Sequence, residues 1–183
     1  MPAPNQDRVL SLVRARLERT LASGHHGFAV EQSKLVSLGD VDIDGVELDP
    51  AGDTKPSRSS RATVTCHLTV TEACCNPSGN AHGGFFAWLV DHCSSLALLA
   101  LSGPGDRWVT SGVTTNLQLY YIGAAPVGTK LRIVNKVLQQ GRVTALLETR
   151  IENEETGKLL VTASHVKQDP QRTAPKQQGK AKL

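Results

Sequence analysis

His82-Gly83-Gly84 opens an almost unbroken apolar run from Phe85 to Leu101, and that run carries one acid, Asp91. The turn formers Asn76-Pro77-Ser78-Gly79-Asn80 come just before it. A helix that is apolar nearly all round belongs in a core. Its first amides lack intrahelical acceptors and stand at the positive end of the macrodipole. Glycine at that point lets a ligand approach the backbone closely. A carbonyl oxygen placed there would be polarised and a developing oxyanion stabilised, one such donor lowering a barrier by roughly 3 kcal/mol. The Gly-Gly pair also suits nothing more than close packing of the helix entry. His82 reads either as a structural residue at the helix start or as a donor in a site, and His92 as structural.

A carboxylate inside an apolar helix is costly unless it is paired or has chemistry to perform. Ser94, Ser95 or backbone groups are the partners that would satisfy Asp91 structurally. Asp91 follows Gly83 by eight positions, which is about 12 Å along a helix axis. Within one chain the two residues are too far apart to act on the same atom. A two-fold dimer with antiparallel central helices would bring each to the other's counterpart, twice.

Around this helix the sequence predicts a sheet. Asn5 to Ala22 has Val9, Leu10, Val13, Leu17 and Leu21 at helical spacing, with Gly24 to end it. Lys34 to Leu48 and Arg61 to Val70 read as strands. Between them, Asp49 to Ser60 is low in apolar residues and rich in Pro, Gly and Ser, and reads as a mobile loop. Ser102-Gly103-Pro104-Gly105 stops the central helix. Four strands follow: Trp108 to Tyr121, Thr129 to Gln139, Arg142 to Asn153 and Lys158 to Lys167. Their short connections imply antiparallel pairing. The expectation is an α+β fold, an antiparallel sheet wrapped on a long central helix. A helical extension (1–33) precedes the domain (34–168), and a basic tail from Asp169 onward reads as disordered.

At 183 residues the chain suits one well-packed domain. The net charge of +3 does not call for a nucleic-acid partner. Cys66, Cys74, Cys75 and Cys93 lack metal-ligand spacing and read as free thiols in a reducing compartment. Phe85 to Leu101 comes nearest to a membrane span, but it falls short of about 18 residues and is interrupted by Asp91 and His92. Asp7 and Glu18 argue against a mitochondrial transit peptide. The final Ala181-Lys182-Leu183 is similar to the Ser-Lys-Leu peroxisomal address, which an import receptor would read. Peroxisomal localisation is therefore the expectation, with cytoplasmic or mitochondrial as the alternative.

Asn76…His82-Gly83-Gly84…Leu89-Val90-Asp91, Asn116-Leu117-Gln118-Leu119-Tyr120-Tyr121, Val127-Gly128, Gln140-Gly141-Arg142 and Thr156-Gly157-Lys158-Leu159 occur in that order. Together they resemble the signature of the hotdog-fold acyl-CoA thioesterases. The likeness is to the phenylacetate-type branch, especially the type of thioesterase superfamily member two (acyl-CoA thioesterase thirteen), and it covers roughly Thr65 to Lys167.

The resemblance implies a hotdog fold, a homodimer that is a dimer of dimers, and hydrolysis of acyl-CoA to acid and CoA. It needs no cofactor, coenzyme A being part of the substrate, and no metal. Gly83 would supply the amide to the thioester oxygen, with His82 supporting the helix start. Asn76 would help to hold the thioester or the water. Asp91 of the partner subunit would be the general base or the nucleophile, with Thr114 orienting the water or the acid. Coenzyme A contacts would map to Asn116, to Tyr121, Ile122, Gly123, Ala124, Ala125 and Pro126, and to Gln139, Gln140, Gly141, Arg142, Val143 and Thr144. Arg142 is the best phosphate partner by chemistry. The Ile122-Gly123-Ala124-Ala125-Pro126 stretch departs from the family's usual step after the tyrosines. Competing readings are a non-catalytic acyl-CoA-binding homodimer and a hotdog hydratase. The filled positions at Asn76, Gly83, Asp91 and Thr114 weigh against the binding module, and the chain shows no separate Asp/His hydratase motif.

Overall fold

The computed structural model describes residues 4–23, 28–103, 108 and 110–170. Helix α1 (Pro4–Ala22) is followed by a single helical turn, α2 (Val30–Ser33), and by strands β1 (Ser37–Leu48) and β2 (Thr54–Thr69). A short 3-10 turn at Glu72–Cys74 leads to the central helix α3 (Gly83–Ala100), and then β3 (Val113–Tyr121), β4 (Lys130–Gln140), β5 (Thr144–Asn153) and β6 (Leu159–Gln168). The strands form one antiparallel sheet in the order β1-β2-β4-β5-β6-β3. Period-two alternation on β4, β5 and β6 turns one face inward. That face meets α3 through Phe86, Leu89, Val90, Cys93, Ala97 and Leu98, all buried. Each fully buried Leu or Val contributes about 1.5–3 kcal/mol.

At 18 residues and a mean hydropathy of 1.3, α3 is long and apolar enough by composition to cross a bilayer. This corrects the sequence reading, which counted the apolar span only from Phe85 and so put it below that length. Contacts with β2, β3, β4, β5 and β6 show it to be the core helix of the sheet.

Helix α1 packs on β1 and α3 through the buried Val9, Val13 and Leu17. Its Arg16 guanidinium donates to the carbonyls of Leu99 (3.3 Å) and Ser102 (2.6 Å) and to Thr54 Oγ1 (2.6 Å). It thereby adds a charged donor to carbonyls at the end of α3 that Ser102 and Thr54 also bond. Burial pushes this guanidinium down from its usual value.

Three expectations need correction. Only residues 49–53 of the expected mobile loop form a turn, closed by Asp49 Oδ1 accepting from the amides of Ala51 (2.9 Å) and Asp53 (3.0 Å). Thr54 to Ser60 extend β2, pairing Leu48 with Thr54 and Val46 with Pro56. Cross-strand pairing there overrides a loop-like composition, and β4 pairs only with Thr63 to Thr69, so it does not reach Pro56, where a strand tolerates proline. Trp108 lies outside β3. It is buried at a left-handed φ of 54° ahead of the strand, which starts at Val113. Finally, chain order continues past β6. Asp169 is buried, its amide donates to Val143 O (2.8 Å), and its carboxylate accepts from the Trp108 amide (3.2 Å). Gly24, the expected helix stop, and the tail beyond Pro170 lie outside the described residues. The four cysteines are free.

Candidate active site

The α3 entry is built by a compact loop. Asn76 Oδ1 accepts from the amides of Ser78 (3.0 Å) and Asn80 (3.3 Å), a local turn that asparagine favours. Its Nδ2 has no partner among the described residues. His82 is the N-cap of α3, and its Nδ1 accepts from the Gly84 amide at 2.9 Å. The cap takes the Gly84 N–H and leaves the Gly83 N–H without an acceptor among the described residues. Tyr121 donates its hydroxyl to Gly83 O at 3.0 Å, fixing the entry from β3. A Cβ added at Gly83 would meet the Tyr121 ring at 3.6 Å, ordinary van der Waals contact. Packing within this chain therefore does not demand glycine there. Close approach of another molecule would.

Asp91 lies two turns further along α3. Its side chain is 45% exposed, so it is not the buried acid that the apolar run suggests. Ser94 and Ser95 do not satisfy the carboxylate either: the Ser95 hydroxyl donates to the Asp91 backbone carbonyl at 2.6 Å, and Ser94 Oγ bonds to His165 Nδ1 at 2.7 Å. Instead Oδ1 accepts from the Thr114 hydroxyl at 2.7 Å. The register of β3 against β6 slips between Thr114 and Asn116, and such a bulge re-aims a side chain.

Two further residues join this cluster. His165 Nε2 is 3.4 Å and Lys167 Nζ 3.6 Å from Asp91 Oδ1. His165 is buried between Ser94 Oγ (2.7 Å to Nδ1) and Thr114 Oγ1 (3.0 Å to Nε2). Since Thr114 gives its proton to Asp91, the network assigns the Nε2–H tautomer, with Nδ1 accepting from Ser94. Burial, and then the Lys167 charge, hold the imidazole down at about 4, with Asp91 pulling the other way. Burial also lowers Lys167, opposed by Asp91. Sequence reading missed both residues. The available signal was the period-two inward register of β6, Val161, Ala163, His165, Lys167, which continues an apolar face with two polar side chains.

Two cavities flank the exposed face of α3. One of about 530 Å³ is lined by His82, Gly84, Phe85 and Trp88, with Phe28 and Cys75 at its rim. The other, about 300 Å³, is lined by Asp91, His92, Ser95, Leu96, Thr114 and Lys167. Trp88 stacks on His92 between them, with ring centroids 5.1 Å apart. Phe85 and Trp88 line the first cavity, whereas Phe86 and Leu89 are buried in the core.

One chain does not bring the expected coenzyme A contacts together. The segment from Tyr121 to Pro126 lies at the α3 entry, where Ala81 N donates to Ala125 O (2.8 Å) and Asn80 bridges Pro126. Asn116 is exposed within β3. The Gln139 to Thr144 hairpin lies at the other end of α3, where Gln140 Nε2 donates to Leu101 O (3.1 Å). Ala125 and Gln140 are buried. Arg142 and Thr144 are exposed at the hairpin tip. Gly141 is fixed there by its own turn, since a Cβ would come within 2.8 Å of Thr144 O. Among the described residues no group of three or more His, Cys, Asp or Glu could hold a metal ion.

A single antiparallel sheet wrapped on a central helix, with an unused amide at the helix entry and a carboxylate two turns on, defines the hotdog class. Known proteins agree. The Thioesterase superfamily model matches residues 78–160. Human acyl-coenzyme A thioesterase 13 is 34% identical over 104 residues, 57% of this chain and 71% of that protein. The crystal structure of zebra fish thioesterase superfamily member 2 is 27% identical, with a TM-score of 0.63 over 84% of this chain and 93% of its own. A hypothetical thioesterase protein from Streptococcus pneumoniae TIGR4, crystallised with coenzyme A, is 26% identical, with a TM-score of 0.52 over 70% of this chain and 84% of its own. The chain belongs to the thioesterase superfamily.

Proposed function

We propose that this protein is a homodimeric acyl-CoA thioesterase whose two active sites are each shared between subunits. The observation that carries this reading is the pairing of an unused Gly83 amide with a half-exposed Asp91 carboxylate, set too far apart on one helix to act on one atom. The thioester oxygen accepts from Gly83 N–H and from Asn76 Nδ2. The partner subunit's Asp91 takes a proton from water as the oxygen attacks the carbonyl carbon. The tetrahedral oxyanion is held at the helix entry. Its collapse breaks the C–S bond, and the carboxyl returns the proton to the leaving sulfur. The products are the free acid and CoA-SH. Arg142 and its hairpin offer the nucleotide an exposed guanidinium.

The two sheet edges support the dimer. Edge strand β1 presents Asp40, Asp42 and Asp44 in alternation, the kind of charge that blocks pairing. Edge strand β3 carries no acid or base and exposes Val113, Tyr120 and Tyr121. We assign β3 to pairing with its counterpart, giving a continuous sheet, and two such dimers to a tetramer. The Ala181-Lys182-Leu183 terminus is proposed as a peroxisomal address. Its deletion from a fluorescent fusion disperses the signal if the address is used and leaves it unchanged if it is not.

The test of activity is thiol release from a panel of acyl-CoAs, from acetyl to palmitoyl and phenylacetyl, with wild type and Asp91→Asn side by side. Turnover on some members and a loss of about 10³-fold in the variant are expected. Tight binding of CoA without turnover would favour a binding module instead.

A further inference from the structure

Lys167 is 3% exposed, a burial that lysine tolerates only when paired. It sits at an inward position of β6. Its Nζ donates to Ser95 Oγ at 2.6 Å and lies 3.6 Å from Asp91 Oδ1. Ser95 stands one turn beyond Asp91 on α3, and its own hydroxyl proton is committed to the Asp91 carbonyl at 2.6 Å. The ammonium is therefore pinned to the helix face that carries Asp91. The titratable groups touching Asp91 or lining its cavity, among the described residues, are His92 on α3 and His165 and Lys167 on β6. Helix α1 contributes only the uncharged Thr20.

We propose that Lys167 is a positioning residue for the catalytic carboxylate: its buried charge draws Asp91 Oδ1 toward β6 and leaves Oδ2 turned to the cavity, where it would take the proton of the attacking water. The role is distinct from that of Thr114. The threonine hydroxyl supplies a directed hydrogen bond, while the lysine supplies a fixed positive charge that the carboxylate leans on as it takes up and returns a proton. His165 is neutral near pH 7, which leaves Lys167 as the charge in this cluster that offsets Asp91. The idea rests on Asp91 being the base.

Lys167→Met and Lys167→Arg are compared with wild type and Asp91→Asn on one acyl-CoA. The expected result is a kcat lowered roughly 30- to 100-fold in Lys167→Met with KM within about threefold. Lys167→Arg, which keeps the charge, is expected within about fivefold of wild type. The His165 ring titration, followed by NMR, is expected to rise from about 4 toward the ordinary 6.5 in Lys167→Met, because the Lys167 charge is one of its two depressing causes. Should Lys167→Met not fold, Lys167→Gln carries the same test. A kcat for the uncharged variant within threefold of wild type overturns the proposal. So does a Lys167→Arg variant as damaged as Lys167→Met, or an unmoved His165 titration. If Asp91→Asn itself keeps wild-type kcat, the base assignment fails instead, and the two failures are told apart.

Discussion

At Gly83 two properties that usually travel together come apart. Its position has room for a methyl group, 3.6 Å from the Tyr121 ring, and its φ is not in the left-handed region. Gly83→Ala is therefore expected to keep or slightly raise Tm, because alanine restricts the unfolded chain by about 0.4–1 kcal/mol. The same methyl group would hold the thioester off the amide and lower kcat/KM by roughly 10²-fold. A melt and a thiol-release assay on one preparation check both, and a variant that loses stability along with activity would show a packing role instead. His165 gives a second prediction. It titrates at about 4 in the fold against 6.5 when unperturbed, so the unfolded chain binds the proton more readily. The stability from neutral His165 is complete above pH 6.5 and is lost as pH falls to about 4, on the order of 3 kcal/mol. His165→Gln should remove that part of the pH slope in denaturant titrations. Gly83 and Asp91 were legible because glycine at a helix entry and an acid in an apolar run each break a pattern. His165 and Lys167 were not, because a strand of alternating residues gives no sign of which inward positions face a carboxylate from another element.

The elements were mostly readable from periodicity. Four of the six strands and both long helices fall within a few residues of expectation. Thr54 to Ser60 escaped because their strand state comes from pairing with β1, a nonlocal cause that composition does not record. Asp169 escaped because a charged residue beyond the last strand reads as tail, whereas its bonds to Trp108 and Val143 hold it inside. Helix α1 was legible as a helix but not as a cap on another one. Arg16 joins it to the end of α3 through Leu99 and Ser102. Arg16→Ala would remove the charge-assisted bonds to Leu99 O, Ser102 O and Thr54 Oγ1 and is expected to cost about 2 kcal/mol, read as a lower denaturant midpoint. A midpoint unchanged from wild type would mean that water replaces the guanidinium without loss.

For the whole molecule, the sheet order could not be read from the strand sequence. Strand β3 precedes β4 in the chain yet docks beside β6 at the far edge. That placement puts Thr114 against Asp91 and leaves an uncharged strand at one edge of the sheet. It also sets the two groups of expected nucleotide contacts at opposite ends of α3, where a single chain cannot use them together. In the proposed function, assembly supplies the missing neighbour and the catalytic unit is the dimer. The direct measurement mixes Gly83→Ala with Asp91→Asn, lets the subunits exchange, and compares thiol release with each variant alone. If each site takes Gly83 from one subunit and Asp91 from the other, half the dimers are mixed and each has one intact site, so the mixture recovers roughly a quarter of wild-type activity. If both residues of a site come from the same chain, every site in the mixture carries a defect. Activity would then stay at the level of the separate variants, contradicting a shared site.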